Sequence, residues 1–403
     1  MTQLYPGKEN KKSLDAGFSA AFGTAAARYF SAPGRTEIGG NHTDHQRGRV
    51  LAAAVDLDMR AAVRENGSNI IRLVSDKFSN CEIKLDELWP LESEKNTAAA
   101  LVRGMACAFE KAGTSLRGLD IYCESDVMPG SGLSSSAAFE VLLGTVFNNM
   151  FFDSGLSAEQ LALMGQWTEN NFFGKPCGLM DQMACAVGGL VSIDFYNKEA
   201  PLVKALDFDF ARSGHALCII DTRASHTQLN HEYAAITEEL KSVSRFFGRE
   251  VLSQVDESAF YAAVPLLRQS CGDRAVLRAM HFFEENARVP KQAEALESGN
   301  FDAFLGLVKE SGRSSWMYLQ NINPAGAVEH QPMALALALC EKLLRGRGAS
   351  RVHGGGFAGT VQAFVPLDML EGFKAGIDAV FGPGACRAMS IRSVGGMEVL
   401  AEF

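Results

Sequence analysis

Apolar and polar positions alternate along the first half of the chain in a way that predicts strands interleaved with helices. Residues 50–63 are rich in Ala, Val and Leu and read as a strand closed by the turn signal Glu65, Asn66, Gly67. Residues 119–123 form a second, short strand that runs into a glycine loop. Residues 134–152 then have the length and composition of a helix, opened by serines able to cap it. In the second half, residues 216–221 read as a buried strand. Tyr233, Ile236, Leu240, Val243 and Phe247 follow at three- and four-residue spacing, which predicts an amphipathic helix over 229–247. Further helices are predicted over 276–287, 300–310, 332–344 and 366–380, and a second glycine-rich turn, 353–359, separates two strand-like pieces. The mixture predicts an α+β protein of two lobes, 1–205 and 206–403.

Composition narrows the possible partners. The chain has 403 residues, 47% hydrophobic and 21% charged, with a net charge of -9 and no basic run. That balance repels a phosphate backbone and argues against nucleic acid. Nine cysteines are scattered singly without a C-x-x-C pair, which fits a reducing compartment. Residues 1–12 lack the apolar centre of a signal peptide, and the apolar-rich segment 334–344 is too short and broken to cross a bilayer. These features predict a cytoplasmic protein that acts without a membrane; a monomer is expected, though none of them bears on it.

Three segments concentrate chemistry. The first is 127–138, VMPGSGLSSSAA. Glycines let a backbone turn tightly around an anion, the following helix start offers free N–H groups and a positive dipole end, and the serines add donors or a cation ligand. It is not a Walker A loop, because no Gly-Lys-Ser/Thr follows, and its spacing does not match a nucleophile elbow. Taken alone it is equally compatible with an ordinary loop before a helix. The second segment, 32–45, packs Arg35, Glu37, Asn41, His42, Asp44 and His45 into one glycine-rich stretch. Such a loop offers the mixed donors and acceptors a polyhydroxylated ligand needs. Metal binding by His42, Asp44 and His45 is a weaker alternative, since adjacent ligands converge poorly. The third is 177–182, CGLMDQ, with Glu169 and Lys175 just upstream. Asp181 lies among apolar neighbours, where a carboxylate needs a cationic partner or a raised pKa, the setting of a general base.

In their order and spacing these segments resemble the kinase superfamily of galactokinase, homoserine kinase, mevalonate kinase and phosphomevalonate kinase. The loop from Pro129 to Ala137 resembles its phosphate-binding motif, and 352–360 (VHGGGFAGT) resembles its third, glycine-rich motif. Residues 32–35 (APGR) with Gly40, His42, Thr43 and Asp44, together with 176–182, are similar to the galactokinase family within it.

The resemblance implies a two-lobed fold and ATP-dependent phosphorylation of the C1 hydroxyl of galactose, with Mg²⁺ accompanying ATP. Arg35 and Asp181 would be catalytic, Asp181 orienting or accepting the hydroxyl proton. Asn41, His42, Asp44, Gly178, Asp181 and Tyr233 would bind the sugar. The backbone of Pro129, Gly130, Ser131, Gly132, Leu133, Ser134, Ser135 and Ser136 would cradle the phosphates, and Ser136 with Glu169 would hold the metal. The chain departs from the pattern at Asn41, where the family usually has Glu, and at Glu37, where it usually has Asn. The Trp-containing segment on the adenine side is replaced by 96–104 (NTAAALVRG). Phosphorylation of a related sugar, such as N-acetylgalactosamine or arabinose, is the nearby alternative, and a non-catalytic sugar and ATP sensor the more distant one.

Overall fold

In a computed structural model, the chain is described over residues 8–127, 132–175, 177–197, 199–224, 229–357 and 359–399. The strands are β1 (Arg28–Gly39), β2 (Arg49–Glu65), β3 (Ile70–Ser75), β4 (Cys81–Lys84), β5 (Leu119–Ser125), β6 (Leu190–Asp194), β7 (Leu202–Leu206), β8 (His215–Asp221), β9 (Ala349–His353), β10 (Thr360–Pro366), β11 (Cys386–Met389) and β12 (Met397–Val399). The helices are α1 (Lys8–Phe22), α2 (Ala98–Lys111), α3 (Ser135–Phe151), α4 (Ala158–Thr168), α5 (Met180–Val187), α6 (Asn230–Phe246), α7 (Glu257–Cys271), α8 (Asp273–Glu297), α9 (Phe301–Ser314), α10 (Pro332–Leu344) and α11 (Leu370–Phe381).

An eight-stranded mixed sheet runs β12-β1-β2-β5-β3-β4, with β6 and β7 branching from β2. The branch is possible because β2 is 17 residues long: its start pairs with β6 and its end with β5. A second, four-stranded antiparallel sheet has the order β11-β8-β10-β9. The C-terminal strand β12 returns to the first sheet and pairs with β1. The main core packs α2, α3 and α5 against the first sheet through Val102, Phe109, Phe139, Phe147 and Met183. Another cluster joins Ile38, Leu51 and Leu190 to Phe210, Val289, Phe304 and Phe364, so apolar burial couples the two sheets.

The predicted strands and helices fall where the periodicity put them, with three informative differences. The polar stretch around Arg35 is not a solvated loop: residues 28–39 form a buried strand in the interior of the sheet. Pro33 and two glycines are tolerated there because the pairing with β2 shifts register between Pro33 and Arg35 and again between Glu37 and Gly39. Helix α8 continues past residue 287 to Glu297 through an internal proline, Pro290. Helices α1, α2, α4, α5 and α7 were not anticipated. The weakly apolar α1 buries Leu14 and Phe18, and α7 carries Pro265 in its interior.

Candidate active site

The bulged strand β1 sends Arg35 toward the start of α5, where Asp181 sits in the first helical turn. A carboxylate there is favoured by the helix dipole. The guanidinium grips it with both prongs, Nε to Oδ1 at 2.7 Å and Nη2 to Oδ2 at 2.8 Å. The remaining prong, Nη1, donates to the Gly132 carbonyl at 2.5 Å, and the Arg35 N–H donates to the Leu133 carbonyl at 3.1 Å. The glycine-serine loop therefore holds the arginine through its carbonyls.

Ser134, in left-handed conformation at the N-cap of α3, does not cap that helix. Its hydroxyl donates to Asp181 Oδ2 instead. Burial pushes the Asp181 carboxyl up, but Arg35 and Ser134 outweigh it and hold the group below the ordinary carboxylate range. Asp181 is thus an ionised acceptor whose side chain keeps 29% of its surface open.

Arg35 lies in the wall of a cavity of about 660 Å³, as does Met180, the residue before Asp181. The cavity's other lining residues include Glu37, His42, Asp44, Gly178, Gly354 and Gly355. Asp44 opens the short helical turn between β1 and β2, and its Oδ1 accepts from the His45 N–H at 2.8 Å. Burial and the nearby Asp181 charge raise its pKa. Gly178 lies against that carboxylate so closely that a Cβ would fall 1.8 Å from Asp44 Oδ2. His42 adopts a left-handed conformation and pairs with the Gly355 carbonyl at 3.0 Å. Burial above all pushes the pKa of His42 down to about 3 and of His45 to about 4, so both rings are neutral at physiological pH.

A second polar cluster adjoins Asp181. Ser136, in the first turn of α3, donates to Glu169 Oε1 at 3.0 Å, and Lys175 Nζ reaches the same oxygen at 3.2 Å. Glu169 lies in a π-helical turn, 169–173, that ends α4. The Gln182 amide donates to Glu169 at 2.8 Å and to Glu140 at 2.9 Å. Burial and Glu169 push Glu140 well above its usual range. Ser136 and Glu169 supply hard oxygen donors of the type that hold Mg²⁺ when phosphate oxygens and waters complete the shell. Among the described residues no group of three or more His, Cys, Asp or Glu could hold a metal by itself.

The third glycine-rich segment closes onto the loop. A Cβ on Gly132, where φ is +74°, would meet Thr360 Oγ1 at 2.6 Å, so the loop and this segment touch backbone to side chain. His353 accepts the Glu37 N–H at Nε2 (3.2 Å), which leaves Nδ1 to donate to Thr360 Oγ1 at 2.8 Å.

Scanned against family models, residues 100–189 match the GHMP kinase N-terminal domain and residues 16–65 the galactokinase galactose-binding signature. This chain carries a galactokinase signature on a GHMP kinase fold. Solved structures agree on the fold. Lactococcus lactis galactokinase, solved in complex with galactose, is 23% identical and aligns over 97% of this chain and 100% of its own, at a TM-score of 0.82. The Methanococcus jannaschii mevalonate kinase is 14% identical over 91% and 98%, at 0.63. A D-glycero-D-manno-heptose 1-phosphate kinase from Bacteriodes thetaiotaomicron is 14% identical over 94% and 100%, also at 0.63.

Of the expected residues, Arg35, His42, Asp44 and Gly178 line one cavity; Asp181 is held beside it by Arg35, whose guanidinium and N–H also reach the Gly132 and Leu133 carbonyls, and Ser134, Ser135 and Ser136 open α3. Pro129, Gly130 and Ser131 lie outside the described residues. Two of the expected sugar ligands, like Asp181, are not among the residues that line this cavity. Asn41 is fully buried and does not line the cavity. Its amide donates to Glu37 and to the Gly354 carbonyl, and its Oδ1 accepts from Asn321 at 2.9 Å. Tyr233, on α6, also lies outside the lining and directs its hydroxyl to the Gly356 carbonyl at 3.1 Å.

Conversely, two residues take their places only in three dimensions. One is Glu37, noted in the sequence without an assigned role, on the same face of β1 as Arg35. The other is Arg351 on β9, fully buried and ion-paired with Glu37. An arginine beside Val352 in a short strand was the available signal, since a buried charge demands an anion.

Proposed function

We propose that this chain is an ATP-dependent galactokinase that transfers the γ-phosphoryl group to the C1 hydroxyl of galactose. The observation that carries the reading is the bidentate Arg35–Asp181 pair, whose arginine lines the cavity, within a chain that bears the galactokinase galactose-binding signature. Phosphoryl transfer needs little covalent help from the protein, so catalysis rests on positioning and charge.

Asp181, kept ionised, accepts the hydrogen bond of the C1 hydroxyl and aims its oxygen. Arg35 fixes that carboxylate and offers its charge at the point where negative charge gathers during transfer. Asp44 and His42 accept or donate to ring hydroxyls, and Gly178 leaves Asp44 its place. The uncapped start of α3 and the backbone from Gly132 to Ser135 favour the phosphates, since Ser134 keeps its hydroxyl on Asp181. Ser136 and Glu169 would hold Mg²⁺, which when bound neutralises phosphate charge; Lys175 adds a cation beside them.

No helix among the described residues is long and apolar enough to cross a membrane. We read the protein as cytoplasmic, on the strength of nine free cysteines. We read it as acting as a monomer.

The test is a coupled ADP-release assay of purified protein against a panel of aldoses, with Asp181→Ala alongside. Galactose is expected to give the strongest turnover. The variant is expected to lose it while binding sugar within roughly tenfold of wild type, or about 1.4 kcal/mol. Full activity of Asp181→Ala, or no turnover with any aldose, refutes the assignment.

A further inference from the structure

Glu37 is an anomaly that the catalytic reading does not use. It sits two residues from Arg35, so the two side chains leave the same face of β1, and both line the cavity. The carboxylate is 3% exposed, a costly position for a charge. Its oxygens are unequally satisfied. Oε1 accepts from buried Arg351 and, at 3.0 Å, from Asn41 Nδ2. Oε2 has only a long 3.4 Å contact with the same Asn41 amide among the described residues.

The surroundings hold this carboxylate in one orientation. Arg351 is itself fully buried and tied to the Ser311 hydroxyl at 2.9 Å and to Glu285 at 3.5 Å. Asn41 is anchored on its far side by Asn321 and Gly354. The Glu37 backbone is pinned by His353 and by the Gln362 amide, which donates to the Glu37 carbonyl at 2.8 Å. A side chain braced this completely, with one under-used acceptor in a cavity wall, is built to receive a donor.

Resting on the sugar-kinase reading above, we propose that Glu37 Oε2 accepts a hydrogen bond from an acceptor hydroxyl remote from the reacting one, making Glu37 a specificity-determining residue and Asn41 the positioning residue behind it. Because Arg35 and Glu37 are one strand repeat apart, a ring whose reactive hydroxyl lies at Asp181 extends toward Glu37 with its far edge. Burial pushes the Glu37 carboxyl up to about 7 against the pull of Arg351, Arg35 and Asn41, and a hydroxyl donor at Oε2 would stabilise the ionised form.

The test measures kcat and KM for galactose and its 2-, 3-, 4- and 6-deoxy analogues, in wild type and in Glu37→Gln. Wild type is expected to discriminate at least tenfold against one of these analogues. Glu37→Gln is expected to raise KM for galactose at least tenfold with kcat changed less than threefold. The variant should leave that one analogue nearly unaffected, because the partner hydroxyl is already missing. An equal loss on all sugars would reduce Glu37 to a structural role and overturn the proposal. So would a wild type that tolerates every deoxy analogue, a result that needs no variant to fold. Turnover of no sugar at all would instead overturn the kinase reading, which keeps the two failures separate.

Discussion

Gly178→Ala isolates the contact between the two loops that meet over the cavity. The backbone of Gly178 is not left-handed, so alanine fits its conformation. The added methyl, however, would lie 1.8 Å from Asp44 Oδ2 and 2.8 Å from Asp44 Cγ. Ordinary heavy-atom contact begins near ~3.5 Å, so the carboxylate must retreat by about 1.5 Å. That movement breaks its bond to the His45 N–H and withdraws it from the cavity. If Asp44 accepts a ring hydroxyl, the lost hydrogen bond costs about 1–2 kcal/mol, a rise in the galactose KM of roughly five- to thirtyfold. The Arg35–Asp181 grip is untouched, so kcat should stay within about threefold. Steady-state kinetics and calorimetric titration of galactose, with thermal melts to confirm folding, provide the assay. Asp44→Ala supplies the control: once the carboxylate is gone, adding Gly178→Ala should cost nothing further. A folded Gly178→Ala enzyme with unchanged KM, or strict additivity of the two changes, would refute the reasoning.

Two stability predictions address the buried network behind the cavity. Burial works to raise the Glu285 carboxyl, but Arg288, His281, Arg351 and Ser311 bring it from 4.5 to about 2. This depressed group therefore contributes about 3 kcal/mol above pH 4.5, a contribution lost as pH falls toward 2. Urea unfolding should show Glu285→Gln weaker by that amount at pH 7, and the gap narrowing steadily below pH 4.5; a gap independent of pH would contradict it. Asn41→Glu places a second carboxylate beside Glu37 in a fully buried site and should cost roughly 2–4 kcal/mol, whereas Glu37→Asn added to it should recover more than half. Wild-type stability in the single variant, measured by the same unfolding, would count against the arrangement.

Much of this protein was legible in its sequence because the deciding forces are local. The 3.6-residue spacing of Ile236, Leu240 and Val243 requires a helix to bury one face, and all three are buried. The glycines and serines of 127–138 mark a tight turn into a helix, and α3 begins at Ser135. Arg35, Asp44 and Asp181 could be named because their residue types and order match a family pattern whose galactose-binding signature spans residues 16–65.

What the sequence could not determine is the direction in which neighbouring polar side chains point. Glu37 and Asn41 are four residues apart in one motif, and either could have faced the ligand. The register shift between Glu37 and Gly39, the packing of α8 and α9, and the Arg351 charge delivered by β9 turn Glu37 to the cavity and Asn41 into the protein. Those partners lie roughly 240 to 310 residues away along the chain. Burying a carboxylate is tolerable only where a cation and donors converge on it, and that convergence exists only in the folded chain.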